Sequence, residues 1–162
     1  MTLEFMLAKE YTENMKAPRN TKNYNPPIGW LMSEKLDGYR SRYDVEKGFV
    51  SRQNKPFNAP QWFKDAMPQI ALDGELFAGR EKFQNMGVVR KKIPIDEEWF
   101  NIKYCVYDVP DIEANFGERY KSLASIVDEI NEEWNDFKKT DEKFKDVSCP
   151  IILCEHHLVQ NM

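Results

Sequence analysis

The side chain in this sequence most suited to covalent chemistry is a lysine beside a tight turn. Lys35 follows Glu34 and precedes the dipeptide Asp37-Gly38, with Arg40 shortly after. Asp-Gly closes short turns between strands, so it can hold a lysine at the rim of a sheet. A neutral lysine amine is a nucleophile once desolvation or a nearby cation lowers its pKa. On these residues alone, an ordinary lysine on a surface hairpin remains the simpler interpretation.

Three later segments combine residue types that suit a nucleotide: residues 51–57 (SRQNKPF), 72–76 (LDGEL) and 103–108 (KYCVYD). Arg52 offers a planar fork of donors for phosphate oxygens, and Glu75 is an acceptor for paired hydroxyl groups. Tyr107 offers a π face on which a base can stack, although an aromatic residue on a strand is more often part of the core.

In this order, the four segments resemble motifs I, Ia, III and IIIa of the covalent nucleotidyltransferases. The motifs are Lys-x-Asp-Gly, Ser-Arg-x-x-Lys-Pro, Asp-Gly-Glu-Leu and an aromatic-Asp pair after an apolar strand. Within that superfamily the chain is most similar to the minimal ATP-dependent DNA ligases of bacteria and large DNA viruses. The resemblance covers about residues 5–125, including the connecting segments 6–9, 29–35, 59–63 and 116–120. Lys-x-Asp-Gly alone would be shared with RNA ligases and capping enzymes.

The resemblance implies a site for ATP and Mg²⁺ in which Lys35 takes AMP from ATP. Arg40 is then expected to contact the nucleotide, and Glu75 to bind the ribose hydroxyls or a metal-bound water. Tyr107 matches the aromatic that stacks on adenine, and Arg52 matches a contact to the sugar or to the nick phosphate. The expected nucleotide-binding residues are Ser33, Glu34, Arg40, Arg52, Glu75 and Tyr107.

The expected partner is nicked double-stranded DNA, and the basic charge lies in the first part of the chain. Residues 1–92 hold 16 Lys and Arg against 11 Asp and Glu, a net charge of +5, whereas residues 93–162 hold 7 against 16, a net charge of −9. Such a split favours a nucleic-acid surface in the first part, although uneven surface decoration explains it equally well. The expected DNA-binding residues are Arg52, Lys55, Arg90, Lys91 and Lys92. A solvated basic helix end is the alternative for the last three.

The elements that must position these residues read as an α+β fold with antiparallel sheet. Strands are predicted at residues 30–34, 39–45, 48–52, 69–77, 99–107 and 149–154, the first three forming a β meander after an extended loop at residues 16–27. A short helix is predicted to start at Pro60. A longer one is predicted from an apolar stripe at spacings of three and four: Tyr120, Leu123, Ile126, Val127, Ile130, Trp134 and Phe137. Residues 136–146 are predicted to form a solvated loop.

The resemblance stops short of motifs IV and V and of the OB-fold domain that such ligases carry. Residues 1–162 are therefore expected to form an incomplete, ATP-grasp-like adenylation domain that is completed by the rest of its chain or by a second polypeptide. Alone, this chain is expected to join no nicks and to adenylate itself slowly or not at all. The alternatives are a module that binds ATP or DNA ends without covalent chemistry, and an RNA ligase.

Cysteine usage favours a cytoplasmic protein, and the resemblance implies a monomer in the cytoplasm, nucleoid or viral factory. Neither a secretion signal nor an apolar run of membrane-spanning length is expected. Three cysteines are an odd number, which favours reduced thiols. Cys149, Cys154, His156 and His157 are suitable zinc ligands by type, but their spacing lacks the two separated knuckles of a structural site. The histidines are predicted instead to begin a helix.

Overall fold

The computed structural model of this protein describes residues 27–160. Contacts divide the chain into two units, one formed by residues 35–154 and one by residues 1–34 with 155–162. The predicted features at residues 6–9 and 16–26 lie outside the described residues. Within residues 27–160, no helix is long and apolar enough to cross a membrane.

The larger unit is built on a five-stranded sheet whose strands lie in the order β3-β2-β4-β5-β6. All neighbouring pairs are antiparallel except β5 and β6, which are parallel. The predicted α+β class with predominantly antiparallel sheet is therefore confirmed. The strands are β2 (Tyr39–Asp44), β3 (Gly48–Ser51), β4 (Leu72–Phe77), β5 (Lys103–Asp108) and β6 (Ile151–Leu153).

Helices cover one face of this sheet. The long helix α2 carries the predicted apolar stripe, of which Leu123 and Trp134 are buried. Asn115 caps its first turn by accepting a hydrogen bond from the backbone N–H of Glu118 at 3.0 Å. The helices are α1 (Gln61–Asp65) and α2 (Phe116–Phe137); 3₁₀ segments lie between them at Phe83–Arg90 and Asp96–Trp99 and after α2 at Glu142–Phe144.

Strand alternation separates the two faces of the sheet. On β4, Leu72 and Leu76 are fully buried in the core, whereas Asp73 and Glu75 between them point to the other face. On β5, Tyr104 lies in the core, and its hydroxyl accepts from the backbone N–H of Tyr43 at 3.2 Å. Asp73, Glu75 and Tyr107 therefore lie on the face that the helices leave uncovered, whereas Asp108 lies on the helix side, where it pairs with Arg119 of α2.

The smaller unit contains a two-stranded ribbon in which β1 (Leu31–Ser33) pairs with β7 (His156–Leu158). The prediction that β1 belongs to a meander with β2 was wrong. The chain does not reverse as a hairpin at Asp37-Gly38, because Gly38 lies directly against the backbone carbonyl of Leu76 on β4. The prediction that the two histidines begin a helix was also wrong, since they lie in β7.

Two other predicted elements differ in extent. The strand predicted from residue 99 begins at Lys103, because Trp99 ends a 3₁₀ segment and the backbone N–H of Ile102 bonds to its carbonyl at 3.0 Å. The strand predicted from residue 69 begins at Leu72. The predicted solvated loop at residues 136–146 contains Phe144, which is buried against aromatic side chains and orders a 3₁₀ turn there.

Candidate functional site

Three strands bring polar side chains together on the face of the sheet that the helices leave uncovered, hereafter the open face. Register places Arg40 of β2 opposite Glu75 of β4. The Arg40 guanidinium donates to both carboxylate oxygens of Asp73, from Nε at 3.2 Å and from Nη2 at 2.7 Å. A bidentate contact of this kind fixes the plane of the guanidinium as well as its position. The orientation of Arg40 is therefore set by the first residue of the Asp-Gly-Glu-Leu motif.

Tyr107 joins the same group from β5. Its hydroxyl donates to the carbonyl oxygen of Gly74 at 3.4 Å, and the Asp73 carboxylate lies near enough to act on its pKa. The centroid of its ring is 5.8 Å from the Arg40 Cζ. Burial and the Asp73 charge raise the pKa of Tyr107, so its hydroxyl stays protonated. Asp73 thus links the first, third and fourth predicted motifs.

Glu75 is the titratable group of this face whose pKa lies near neutrality. Burial raises the pKa of Glu75 from 4.5 to about 7. A hydrogen bond from the backbone N–H of Gly38 and the positive charges of Lys35 and Arg40 act in the opposite direction. The carboxylate of Glu75 therefore lies within electrostatic reach of both cations of the first motif, with Lys35 itself exposed.

Two glycines allow these segments to approach each other. A Cβ on Gly38 would collide with the carbonyl oxygen of Leu76 and lie 2.9 Å from Glu75 Cγ. A Cβ on Gly74 would lie 2.6 Å from the carbonyl oxygen of Cys105. Both distances are below those found for real Cβ atoms, so only glycine fits at either position. The Asp-Gly pairs of the first and third motifs are explained by this close packing.

An ion pair fixes the loop that follows Tyr107. The guanidinium of Arg119 donates to both carboxylate oxygens of Asp108, at 2.8 and 3.0 Å, and to the carbonyl oxygen of Ala114 at 2.7 Å. Asp108 also accepts from the backbone N–H of Val109 at 2.9 Å. The start of α2 is thereby tied to the end of β5.

Arg52 and Lys55 are both exposed on a turn that follows the edge strand β3. The hydroxyl of Ser51 accepts from the backbone N–H of Lys55 at 3.1 Å, and the backbone N–H of Asn54 bonds to the carbonyl of Ser51 at 2.8 Å. Asn54 has a φ of +57°, which asparagine tolerates better than most residues. Nothing described connects this turn with Asp73 or Glu75.

The three cations predicted to bind DNA at residues 90–92 have different surroundings. The guanidinium of Arg90 lies over the ring of Tyr39, with its Cζ 4.5 Å from the ring centroid. The ammonium of Lys91 bonds to both carboxylate oxygens of Glu98 at 2.6 Å. Lys92 is exposed. Two of the three cations therefore have partners within the chain.

Ser33 and Glu34 lie in the smaller unit. Ser33 ends β1, where it pairs with His156, and Glu34 follows it directly. Their expected contacts with a nucleotide remain predictions.

Comparison with known proteins places the chain near one group of enzymes. No family model matches it. Over 106 residues, 65% of its length, the chain is 39% identical to a DNA ligase of Haemophilus influenzae. The chain is similar to DNA ligases. That DNA ligase is covered over 39% of its own length, so the chain spans less than half of it.

A solved structure shares this fold. It comes from a structure–function analysis of Lig E DNA ligases that concerns DNA binding with a minimal scaffold. The TM-score is 0.62 at 24% sequence identity, and the match covers 82% of this chain and 45% of that one. The resemblance to DNA ligases that the motifs predicted is confirmed at this level.

Sequence analysis missed Asp73, Asp108 and Arg119. Asp73 and Asp108 stand inside the recognised motifs, but their pairing with Arg40 and Arg119 depends on strand register and on the position of α2. Arg119 lies in a segment, residues 116–120, that the resemblance covered without assigning it a role. An aspartate inside a predicted apolar strand is the available signal, since a carboxylate that becomes buried needs a partner.

Proposed function

We propose that this chain is part of the adenylation domain, ATP-grasp-like in fold, of an ATP-dependent DNA ligase, and that Lys35 is its nucleophile. The proposal rests mainly on one observation: residues of the first, third and fourth motifs lie together on one face of the sheet. The charge of Lys35 also acts on the carboxylate of Glu75 there. The similarity to a DNA ligase supports the same conclusion.

In the proposed reaction the Nζ of Lys35 attacks the α-phosphorus of ATP. A phosphoramidate N–P bond forms, the bond between the α-phosphorus and the bridging oxygen breaks, and pyrophosphate leaves. The amine must reach the phosphorus neutral, so one proton passes to solvent before attack and a second is lost as the bond forms. The resulting lysyl-AMP holds adenylate for transfer to a 5′-phosphate of DNA.

The neighbouring side chains suit the nucleotide. Two hydrogen bonds to Asp73 fix the plane of the Arg40 guanidinium, which presents donors to phosphate or sugar oxygens. Tyr107 offers its ring to adenine, and its protonated hydroxyl donates to the carbonyl oxygen of Gly74, which anchors the end of the side chain. Glu75 can accept hydrogen bonds from the ribose hydroxyls when it is ionised.

A magnesium ion fits this site as a companion of the phosphates. No group of three His, Cys, Asp or Glu side chains suited to a metal occurs in the part of the chain that the structure describes. Mg²⁺ commonly keeps several waters and binds one or two carboxylates together with substrate phosphates. Glu75, directly or through water, is the carboxylate that would hold it, and the ion would supply charge neutralisation at the phosphates.

Nicked double-stranded DNA is the proposed partner. Arg52 and Lys55 are exposed on one turn, and Lys92 is exposed elsewhere in the same net-positive part of the chain. Exposed lysine and arginine side chains bind backbone phosphates and release counterions, which makes the affinity fall with salt. Arg52→Ala should weaken binding of a nicked duplex and lower the salt slope by about one, whatever the sequence around the nick.

Transfer of label from ATP tests the covalent step. The chain is incubated for hours with Mg²⁺ and ATP labelled at the α-phosphate, in parallel with Lys35→Ala and with Lys121→Ala, which removes an exposed lysine of α2. We expect slow labelling of the unaltered chain and of Lys121→Ala, and none of Lys35→Ala. Saturable ATP binding without any label would instead identify a binding module.

The polynucleotide substrate is tested separately. Duplexes carrying a preadenylated nick, with a DNA or an RNA strand at the 3′-hydroxyl side, are compared for binding at several salt concentrations. We expect tighter binding of the DNA nick. A preference for the RNA 3′ strand would assign the chain to the RNA ligases.

A further inference from the structure

Arg90 was expected to contact DNA phosphates, yet its guanidinium is stacked on an aromatic ring. Its Cζ lies 4.5 Å from the centroid of Tyr39. Tyr39 directly follows Gly38, and it pairs with Leu76 on the neighbouring strand. A guanidinium at this distance over a tyrosine is attracted by the negative face of the ring. The position of Arg90 is therefore linked to the segment, residues 35–38, that carries Lys35.

The 3₁₀ segment Phe83–Arg90 contacts the same ring at both of its ends. Phe83, its first residue, lies with its ring centroid 5.4 Å from that of Tyr39, and Arg90 is its last residue. Phe57, which follows the Lys-Pro of the second motif, lies 6.0 Å from Tyr39 on the same measure. Tyr39 is thus enclosed by two separate segments of the chain.

In the segment before Tyr39, residues 35–38, the contacts that fix the backbone are at Gly38. Gly38 packs on the backbone of Leu76 and donates its N–H to Glu75, while Lys35 itself is exposed. Because Tyr39 is bonded to Gly38, a displacement of the Tyr39 backbone would carry Gly38 with it and change the position of Lys35 relative to Glu75. Fixing the ring is consequently a way of fixing the nucleophile.

We propose that Arg90 is a positioning residue. By stacking on the ring of Tyr39 it holds Tyr39, and through Tyr39 the segment 35–38 that carries Lys35. It does not serve as a DNA phosphate contact. The inference rests on the proposed function of Lys35. It assigns the segment between the third motif and β5 to the nucleotide reaction. Loss of an exposed cation–π contact of this kind corresponds to a fall of about two- to fivefold in the adenylation rate.

The rate of Lys35 adenylation in the absence of DNA tests the proposal. Arg90→Ala and Arg90→Lys should each lower the maximal rate about two- to fivefold, with the half-saturating ATP concentration unchanged, since lysine keeps the charge but loses the flat guanidinium. Tyr39→Phe keeps the ring and should retain the rate. In a Tyr39→Leu background, Arg90→Ala should cause no further loss. Lys82→Ala, an exposed cation just before the segment, is the matched control.

Two results of the rate measurement would overturn the proposal. One is an unchanged adenylation rate in Arg90→Ala; the other is a rate that Arg90→Lys restores fully while the salt slope of DNA binding falls by about one in Arg90→Ala. Hydrogen exchange keeps this test apart from that of Lys35 chemistry. If the unaltered chain forms no lysyl-AMP, the proposed function fails. Faster exchange of amides 36–40 in Arg90→Ala, but not in Lys82→Ala, would still support the positioning role, and equal exchange would refute it.

Discussion

Arg40 and Asp73 form a two-bond ion pair, at 2.7 and 3.2 Å, between the first and third motifs. The side chains are 17% and 12% exposed, so water screens the pair only partly. The charge of the same carboxylate also raises the pKa of Tyr107. The geometry of the open face therefore depends on a residue, Asp73, to which sequence analysis gave no role.

Asp73→Asn should lower the free energy of unfolding by about 2 kcal/mol, since it removes the charge that two donors share. Urea denaturation measures the loss. Asp111→Asn is the matched control, because Asp111 pairs with Arg42 but is 55% exposed, and a change within about 0.5 kcal/mol is expected there. Equal losses in the two variants would contradict a special role for Asp73.

Gly38→Ala should destabilise the chain by about 1–3 kcal/mol, because the added methyl group meets backbone atoms of Leu76 that cannot move aside. Gly87→Ala offers a control in the 3₁₀ segment, since a Cβ there meets nothing within 4 Å. The control should be neutral or slightly stabilising. Thermal unfolding of both variants measures the difference in stability. A Gly38→Ala protein as stable as Gly87→Ala would disprove the close packing.

Glu75 should make stability depend on pH. Burial raises its pKa from 4.5 to about 7, so between these values the folded chain holds a proton that the unfolded chain has lost. Stability contributed by this group is thus present below pH 4.5 and is lost as the pH rises to about 7. Glu75→Gln should remove this part of the pH dependence and gain stability relative to the unaltered chain at pH 8.

Denaturation of both proteins at pH 5 and pH 8 gives the measurement for Glu75. The difference between them should be larger at pH 8. A difference that is the same at both values would mean that Glu75 titrates normally.

The motifs and their candidate chemistry could be predicted from the sequence because each motif consists of residues that are close together in the chain. The Asp-Gly pairs, the alternation of β4 and the stripe of α2 each follow from local spacing. The pairing of β1 with β7 was not readable, since those strands are three residues long and 125 positions separate Leu31 from His156. The partners of Asp73 and Arg90 were hidden for the same reason: they are fixed by register and packing between distant segments.

The location of AMP on the chain tests the central claim most directly. After prolonged incubation with ATP and Mg²⁺, the protein is digested and the peptides are mapped by mass spectrometry without exposure to acid, which breaks phosphoramidates. We predict AMP on the peptide that contains Lys35 and on no peptide of Lys35→Ala. AMP on another lysine, or ATP binding with no adduct on any peptide, would contradict the assignment of Lys35 as the nucleophile.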